Sequence, residues 1–195
     1  IVGVAYFITR QNGIMRAREV LLPQIDSLLR DTRAGHDNLV EAYGLAQEAE
    51  RYIAGDPRLE NLLPICTGRI SITSEPSGAR VYMKRYSAPE DLWQLLGISP
   101  MESLRVPLGM FRWKMEKDGY DTVFAVAPTY RIDMGRNNQL VPTGFHRVLD
   151  QKGSIPSGMI RVAGKDFPGV GHVEDFFIDK FEVSNKQFKE FIDSG

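Results

Sequence analysis

The sequence predicts an α+β protein of several domains, because its hydrophobic period changes along the 195 residues. Apolar residues recur with a helical period over residues 14–66 and alternate with polar ones, as in strands, over residues 67–127. From residue 158 onward, two short strand-like runs lead into the start of a helix. We therefore predict a helical unit, a small antiparallel β-sandwich and the beginning of a third, α+β unit.

The composition excludes several classes of function. With 24 basic and 25 acidic residues the chain has no net basic field, so we predict no nucleic-acid partner. Cys66 is the single cysteine, which excludes an internal disulfide and any metal site made of several thiolates. At 43% hydrophobic residues, the chain is long enough to bury one substantial core or two small ones.

The first eight residues, Ile1 to Ile8, are mostly apolar and are followed by Arg10. This run is far shorter than the roughly 20 residues of a membrane span, so two interpretations stay open: a buried strand, or the last part of a transmembrane helix. The aromatic pair Tyr6-Phe7 followed by arginines is typical of a membrane interface. We therefore predict that residues 1–13 end a transmembrane segment.

Residues 14–66 predict a hairpin of helices that serves as a stalk or spacer. In the first helix, Pro23 either kinks the helix or lies in the first turn of a new one. The hairpin is similar to one tetratricopeptide repeat, but a solenoid needs about three repeats and no second copy follows. The predicted buried stripe of the first helix comprises Ala17, Val20, Leu21, Ile25, Leu28 and Leu29.

The second helix is predicted to begin at Asp37 or Asn38, with Asn38 and Glu41 spaced as in a capping box. Asp56 and the proline after it are predicted to form the N-cap and first position of a short third helix. The predicted buried stripe of the second helix comprises Leu39, Ala42, Tyr43, Ala46, Ala49 and Ile53.

Three segments of the middle region, "SITSEPSGARVYM", "LGISPM" and "RVPLGMFRWKMEKDGYDTV", resemble the PEGA domain, a small β-sandwich module of bacterial surface proteins. The name-giving turn is Pro76-Ser-Gly-Ala79 here, so Ser77 stands in place of the family's glutamate. Gly97-Ile-Ser-Pro100 and Lys117-Asp-Gly-Tyr120 match two further family motifs. The resemblance implies a self-contained sandwich over residues 67–127, with Ile70, Ile72, Val81, Phe111, Trp113 and Tyr120 in its core.

The segment "KRYSAPEDLWQLL" is longer than the short hairpin expected at that place, and it carries Tyr86 and Trp93. Two interpretations stay open for Trp93. It closes one end of a small core, or it forms with Tyr86 a recognition tip for a cell-envelope polymer or a partner protein. These two are the only candidate interaction residues, and no catalytic, cofactor-binding or metal-binding residue is predicted. The following residues 128–157, rich in Pro, Gly, Asn and Gln, are predicted to be a linker.

The last segment, "GMIRVAGKDF … EDFFIDKFEVSNKQFKEFIDSG", resembles the N-terminal part of the formylglycine-generating enzyme (sulfatase-modifying factor) family. Ser184 stands where the family commonly has threonine, which preserves a hydroxyl cap for the helix. Because the sequence begins on Ile1 and ends at Gly195 in the second turn of that helix, we interpret it as a fragment, with residues 158–195 as the truncated start of such a domain.

In that family, oxidation of a substrate cysteine to formylglycine depends on two cysteines and a bound copper late in the domain. The resemblance implies that copper and calcium belong to the complete downstream domain, while this fragment holds no cofactor. Cys66 precedes the domain and does not correspond to either cysteine. Whether the parent protein is an enzyme therefore stays open at this point.

The order of these parts resembles the extracytoplasmic half of bacterial bifunctional proteins in which a serine/threonine kinase precedes the membrane segment. The resemblance implies a bacterial single-pass membrane protein, anchored through an upstream segment, with this region outside the cytoplasm. The predicted function is a non-catalytic spacer and interaction module. The alternative is part of a formylglycine-generating oxidase, fused or not to a kinase.

Overall fold

The computed structural model describes residues 2–31, 36–136, 138–167 and 169–194. The protein is α+β, as predicted, with its first helices followed by several small sheets. The helices are α1 (Val2–Arg16), α2 (Leu22–Arg30), α3 (Asp37–Ile53), α4 (Pro57–Cys66) and α5 (Asn185–Asp193).

A π-helical turn, Ala17–Leu21, joins α1 to α2 without a break in the helix. Pro23 lies in the first turn of α2, where the wider π turn accommodates its ring and its missing N–H. The inserted turn also rotates the apolar stripe. Leu22 is fully buried while Val20 is 43% exposed, so the prediction that Val20 belongs to the buried stripe is wrong.

The N-terminal segment is helical, so the alternative of a buried strand is wrong. Helix α1 begins at Val2, and Ile1 lies outside the described residues. Among the helices that the structure describes, none combines the length and the apolar character needed to cross a bilayer.

Helix α3 follows the predicted stripe, but its N-terminal cap differs from the prediction. Asn38 does not form a capping box with Glu41; its side-chain amide donates instead to the carbonyls of Leu28 and Asp31, at 3.3 and 3.2 Å, near the end of α2. The Asp56 carboxylate accepts a hydrogen bond from the backbone N–H of Arg58 at 3.0 Å, which confirms the predicted cap of α4. The buried residues of α3 are Ala42, Ala46, Ala49 and Ile53.

Two sheets follow the helices and share one buried cluster. The four-stranded sheet is antiparallel, in the order β3 (Gln94–Ile98), β2 (Arg80–Arg85), β5 (Met110–Glu116) and β6 (Val123–Pro128). In the three-stranded sheet, β1 (Thr67–Glu75) lies between β4 (Met101–Pro107), antiparallel to it, and β9 (Phe145–Val148), parallel to it.

The shared cluster confirms most of the predicted core. Trp113 is 1% exposed, and its ring meets those of Phe111 and Phe145 edge-on, with centroid distances of 6.2 and 4.7 Å. Tyr120 differs from the prediction, because it is only partly buried and packs at the margin. The other predicted members, Ile70, Ile72, Val81 and Phe111, are buried.

The prediction that residues 128–157 form a linker differs from the structure, which contains three strands there: β7 (Tyr130–Asp133), β8 (Gln139–Pro142) and β9. Strands β7 and β8 pair with each other, and β9 completes the sheet of β1. Leu149, just after β9, is buried and donates its N–H to the Glu75 carbonyl at 2.7 Å. These strands have only four residues each, too few to show a period among the prolines and glycines.

Helix α3 packs on the sheets through polar and apolar contacts. Both terminal nitrogens of Arg105, in β4, donate to the Glu50 carboxylate of α3, and this pairing lowers the pKa of Glu50. The Tyr43 hydroxyl donates to the Arg105 carbonyl at 3.5 Å. A Cβ added to Gly109 would lie 2.7 Å from a methyl of Val40, which shows how closely the helix approaches.

The C-terminal residues form two small ribbons and a helix. Strand β10 (Met159–Val162) pairs with β13 (Phe176–Asp179), and β11 (Lys165–Phe167) pairs with β12 (Gly171–Val173). Ser184 caps α5 in a capping box with Gln187, which confirms the predicted hydroxyl cap. Arg161 connects this region to the sheets, because its guanidinium pairs with the carboxylates of Asp150 and Asp175.

Replacing Gly144 by Ala tests the packing of β9 on β1. The added Cβ would lie 1.9 Å from the Ser71 carbonyl oxygen, so we expect the free energy of unfolding to fall by about 1–3 kcal/mol in a urea titration. Gly44→Ala is the matched control, because nothing lies within 4 Å of its added Cβ in α3 and the free energy of unfolding should rise by about 0.5–1 kcal/mol. An unchanged stability of Gly144→Ala would contradict the pairing.

Candidate functional site

The outer face of the four-stranded sheet is both basic and apolar. Strands β2, β5 and β6 alternate, so that their apolar residues on the inner side meet the shared core and the residues between them point away from it. The side chains on the outer face include those of Tyr82, Lys84, Arg112, Lys114, Phe124 and Val126.

Trp93, immediately before β3, lies over this outer face and not in the core between the sheets. The ammonium groups of Lys84 and Lys114 lie 4.8 and 5.6 Å from the centre of its ring. The ring of Phe124, on the far strand β6, is 6.2 Å away. Trp93 therefore crosses the sheet and forms one wall of a groove.

Tyr86 lies beside the same cations. It is 47% exposed, and its backbone N–H donates to the Met110 carbonyl at 3.2 Å. Its ring centre lies 4.8 Å from the guanidinium carbon of Arg112. Lys84 and Arg112 are direct cross-strand partners in the register of β2 and β5. Thus Trp93 contacts Lys84, and Tyr86 contacts the neighbouring cation Arg112.

The groove has a volume of about 310 Å³ and contains two cations but no carboxylate in its lining. The Nε of Arg112 is buried and has no hydrogen-bond partner among the described residues. Lys84 donates to the Pro89 carbonyl. The lining residues are Lys84, Trp93, Arg112, Trp113, Phe124, Ala125 and Val126.

The groove differs from the rest of the face because nearby cations have carboxylate partners. Lys114 pairs with Glu116 at 2.8 Å, and Arg80 pairs with Asp118 at 3.2 Å. Like charges placed directly opposite each other on adjacent strands are destabilising. A buried, unpaired guanidinium nitrogen adds a further cost. This arrangement suits the binding of an anionic group.

The side chains of Cys66 and His146 lie away from the groove. No group of three or more His, Cys, Asp or Glu side chains in the described ranges is placed to hold a metal ion. Burial raises the pKa of the Cys66 thiol to about 11, so the thiolate needed for nucleophilic attack is scarce at neutral pH. His146 bonds to the Thr73 hydroxyl at 2.9 Å, on the other sheet.

The sequence named Tyr86 and Trp93 as candidate interaction residues, and the structure places both beside Lys84, Arg112 and Phe124, which the sequence did not single out. The alternation of β5 placed Arg112 on the solvent side, and that signal was available. The pairing of Arg112 with Lys84 and the reach of Trp93 to Phe124 depend on strand register and on the path of residues 86–93. Neither follows from local periodicity.

Comparison of the chain with protein-family models, with curated proteins and with solved structures finds no match. The assignment of the groove therefore rests on its geometry, its burial and its charges.

Replacing Arg112 by Met tests whether the groove is held at a cost to stability. We expect the free energy of unfolding to rise by about 1 kcal/mol, because loss of a buried unpaired donor and of like-charge repulsion exceeds loss of the contact with Tyr86. The control Lys114→Met removes the ion pair with Glu116, and it should lower the free energy of unfolding by no more than about 1 kcal/mol. If Arg112→Met were destabilised more than Lys114→Met, the assignment of the groove as a costly site would be contradicted.

Proposed function

We propose that this chain is a non-catalytic spacer and interaction module of a bacterial single-pass membrane protein, located outside the cytoplasm. The observation that carries the proposal is the groove on the outer face, where Lys84 and Arg112 lie opposite each other beside Trp93. A surface that keeps like charges together without a carboxylate in its lining is costly to the protein alone. Binding of an external anionic group offsets this cost.

The PEGA-like part of the proposal is supported by the turns that the motifs predict. Gly78, in the Pro-Ser-Gly-Ala turn, has φ of 88°, and Gly119, in the Lys-Asp-Gly-Tyr turn, has φ of 83°. Side chains other than glycine rarely adopt such positive φ values. The two sheets around one core are also compatible with a sandwich module. The strands of these two sheets extend to Val148, past the predicted end of the module at residue 127.

The proposed start of a sulfatase-modifying-factor domain is supported by the exposed apolar side chains of the C-terminal segment. Of the residues from 159 to 194 whose burial the structure describes, none is buried. In a complete domain we expect this apolar surface to pack against further parts of the domain, because large exposed apolar patches mark interfaces. The exposed side chains are Phe176, Phe177, Ile178, Phe181, Val183, Phe188, Phe191 and Ile192.

The helical layer suits a spacer. Helix α1, the π turn and α2 form one helical run from Val2 to Arg30, which packs against α3, and α3 packs in turn on the sheets. We propose that this run connects the sheets to an upstream membrane anchor. In the alternative, the chain is part of a formylglycine-generating oxidase whose copper and cysteines lie in the complete downstream domain.

Sedimentation of the purified chain with bacterial envelope fractions tests the interaction function. We expect the wild type to co-sediment, and Trp93→Ala to bind at least about tenfold more weakly, as central aromatic anchors do. Met134→Ala is the control, because this residue is 85% exposed and does not line the groove. Protease treatment of the envelope distinguishes a protein partner from a polymer.

Absence of co-sedimentation, or equal binding of Trp93→Ala and its control, would refute the interaction module. The alternative is tested on the same preparation by mass spectrometry of a cysteine-containing sulfatase peptide incubated with copper and oxygen. We expect no formylglycine above the copper-only control. Turnover above that control would favour the oxidase.

A further inference from the structure

We propose that the groove binds an extended segment of a partner protein in which one acidic side chain lies between aliphatic residues at alternate positions. The proposal rests on the interaction function above and names the class of partner. Three features carry it: the charges in the groove, the kind of apolar surface around it, and the open edge of strand β6.

The charges call for a single carboxylate. Lys84 and Arg112 lie opposite each other, and the buried Nε of Arg112 has no partner among the described residues. A guanidinium donates in its own plane, so the stacking of Tyr86 on Arg112 does not compete with a carboxylate at the guanidinium edge. One carboxylate placed beside Lys84 and Arg112 reduces the repulsion between the two cations.

The apolar surface favours a peptide over a glycan. Sugar rings stack on free aromatic faces, whereas here a cation lies over one face of each of the rings of Tyr82, Tyr86 and Trp93, at 4.2 to 4.8 Å. The exposed ring of Phe124 is tilted against Trp93, with 6.2 Å between the ring centres. Leu95 and Val126 are 55% and 53% exposed, and they suit aliphatic side chains of a peptide.

The edge of the sheet favours an extended partner. Strand β6 is the last strand of the four-stranded sheet, and Phe124, Ala125 and Val126 line the groove from it. The unpaired backbone groups of an edge strand bind an added strand. A strand paired with β6 places every second side chain on the outer face. An acidic residue paired with Val126, the β6 partner of Arg112, lies two strand spacings, about 10 Å, from Arg112, and its aliphatic neighbours stand two positions away on either side.

The test is a double-mutant cycle on the complete chain with a fluorescently labelled synthetic peptide of the pattern Val-Thr-Glu-Thr-Val, extended by threonines. Binding is measured by fluorescence anisotropy. We expect Arg112→Gln to weaken binding at least about tenfold, as loss of a charged hydrogen bond does. Replacing Glu by Gln in the peptide should weaken its binding to the wild type by the same factor. The same replacement should not weaken the binding to Arg112→Gln any further.

Arg80→Gln is the matched control, because Arg80 lies on the same face, pairs with Asp118 and does not line the groove. We expect it to bind the peptide within about twofold of the wild type. Thermal unfolding of each variant checks that it is folded.

Equal losses for Arg112→Gln and Arg80→Gln, equal binding of the Glu and Gln peptides, or no binding of the Glu peptide would overturn the inference. The inference would also be overturned if polygalacturonate or a thymidine oligonucleotide bound in an Arg112-dependent manner while the Glu peptide did not bind. Failure of the peptide while the chain still sediments with the envelope refutes only the peptide class. Failure of both refutes the proposed function as well.

Discussion

The packing of Trp113 between the two sheets sets the orientation of the strands that carry the groove. Its ring meets Phe145 of the three-stranded sheet, and its indole N–H donates to the Ala127 carbonyl of β6 at 3.0 Å. One side chain thereby links strands from both sheets. Because successive residues of a strand point to opposite faces, the burial of Trp113 also directs its neighbours Arg112 and Lys114 to the outer face. The core thus positions the groove.

Stability and function oppose each other at the groove. The shared core supplies apolar burial, whereas the outer face places Lys84 opposite Arg112 and leaves a buried nitrogen unpaired. The aromatic rings of Tyr86 and Trp93 lessen the cost, because a cation over an aromatic face is attracted by its quadrupole. The rings do not neutralise the positive charges of Lys84 and Arg112, so these charges still attract an anionic partner to the groove.

Two ion pairs connect different parts of the chain. The Arg105–Glu50 pair ties α3 to β4, and Arg161 ties β10 to Asp150 at the end of the sheets. The hydrogen bond from the Gly164 N–H and the contact with Arg161 lower the pKa of Asp175, so this carboxylate stays charged under mildly acidic conditions. The apolar side chains from Phe176 to Ile192 are exposed, and no other described residue buries them.

The features that depend on neighbouring residues could be predicted from the sequence. These include the α+β class, the apolar stripe of α3, the cap at Asp56, the hydroxyl cap at Ser184 and the inward side of β5. Three other features are visible only in the folded protein: the parallel pairing of β9 with β1, the placement of Lys84 opposite Arg112, and the path of Trp93 across the sheet. Periodicity and capping act within a few residues, whereas strand register is set by contacts between residues far apart in the chain.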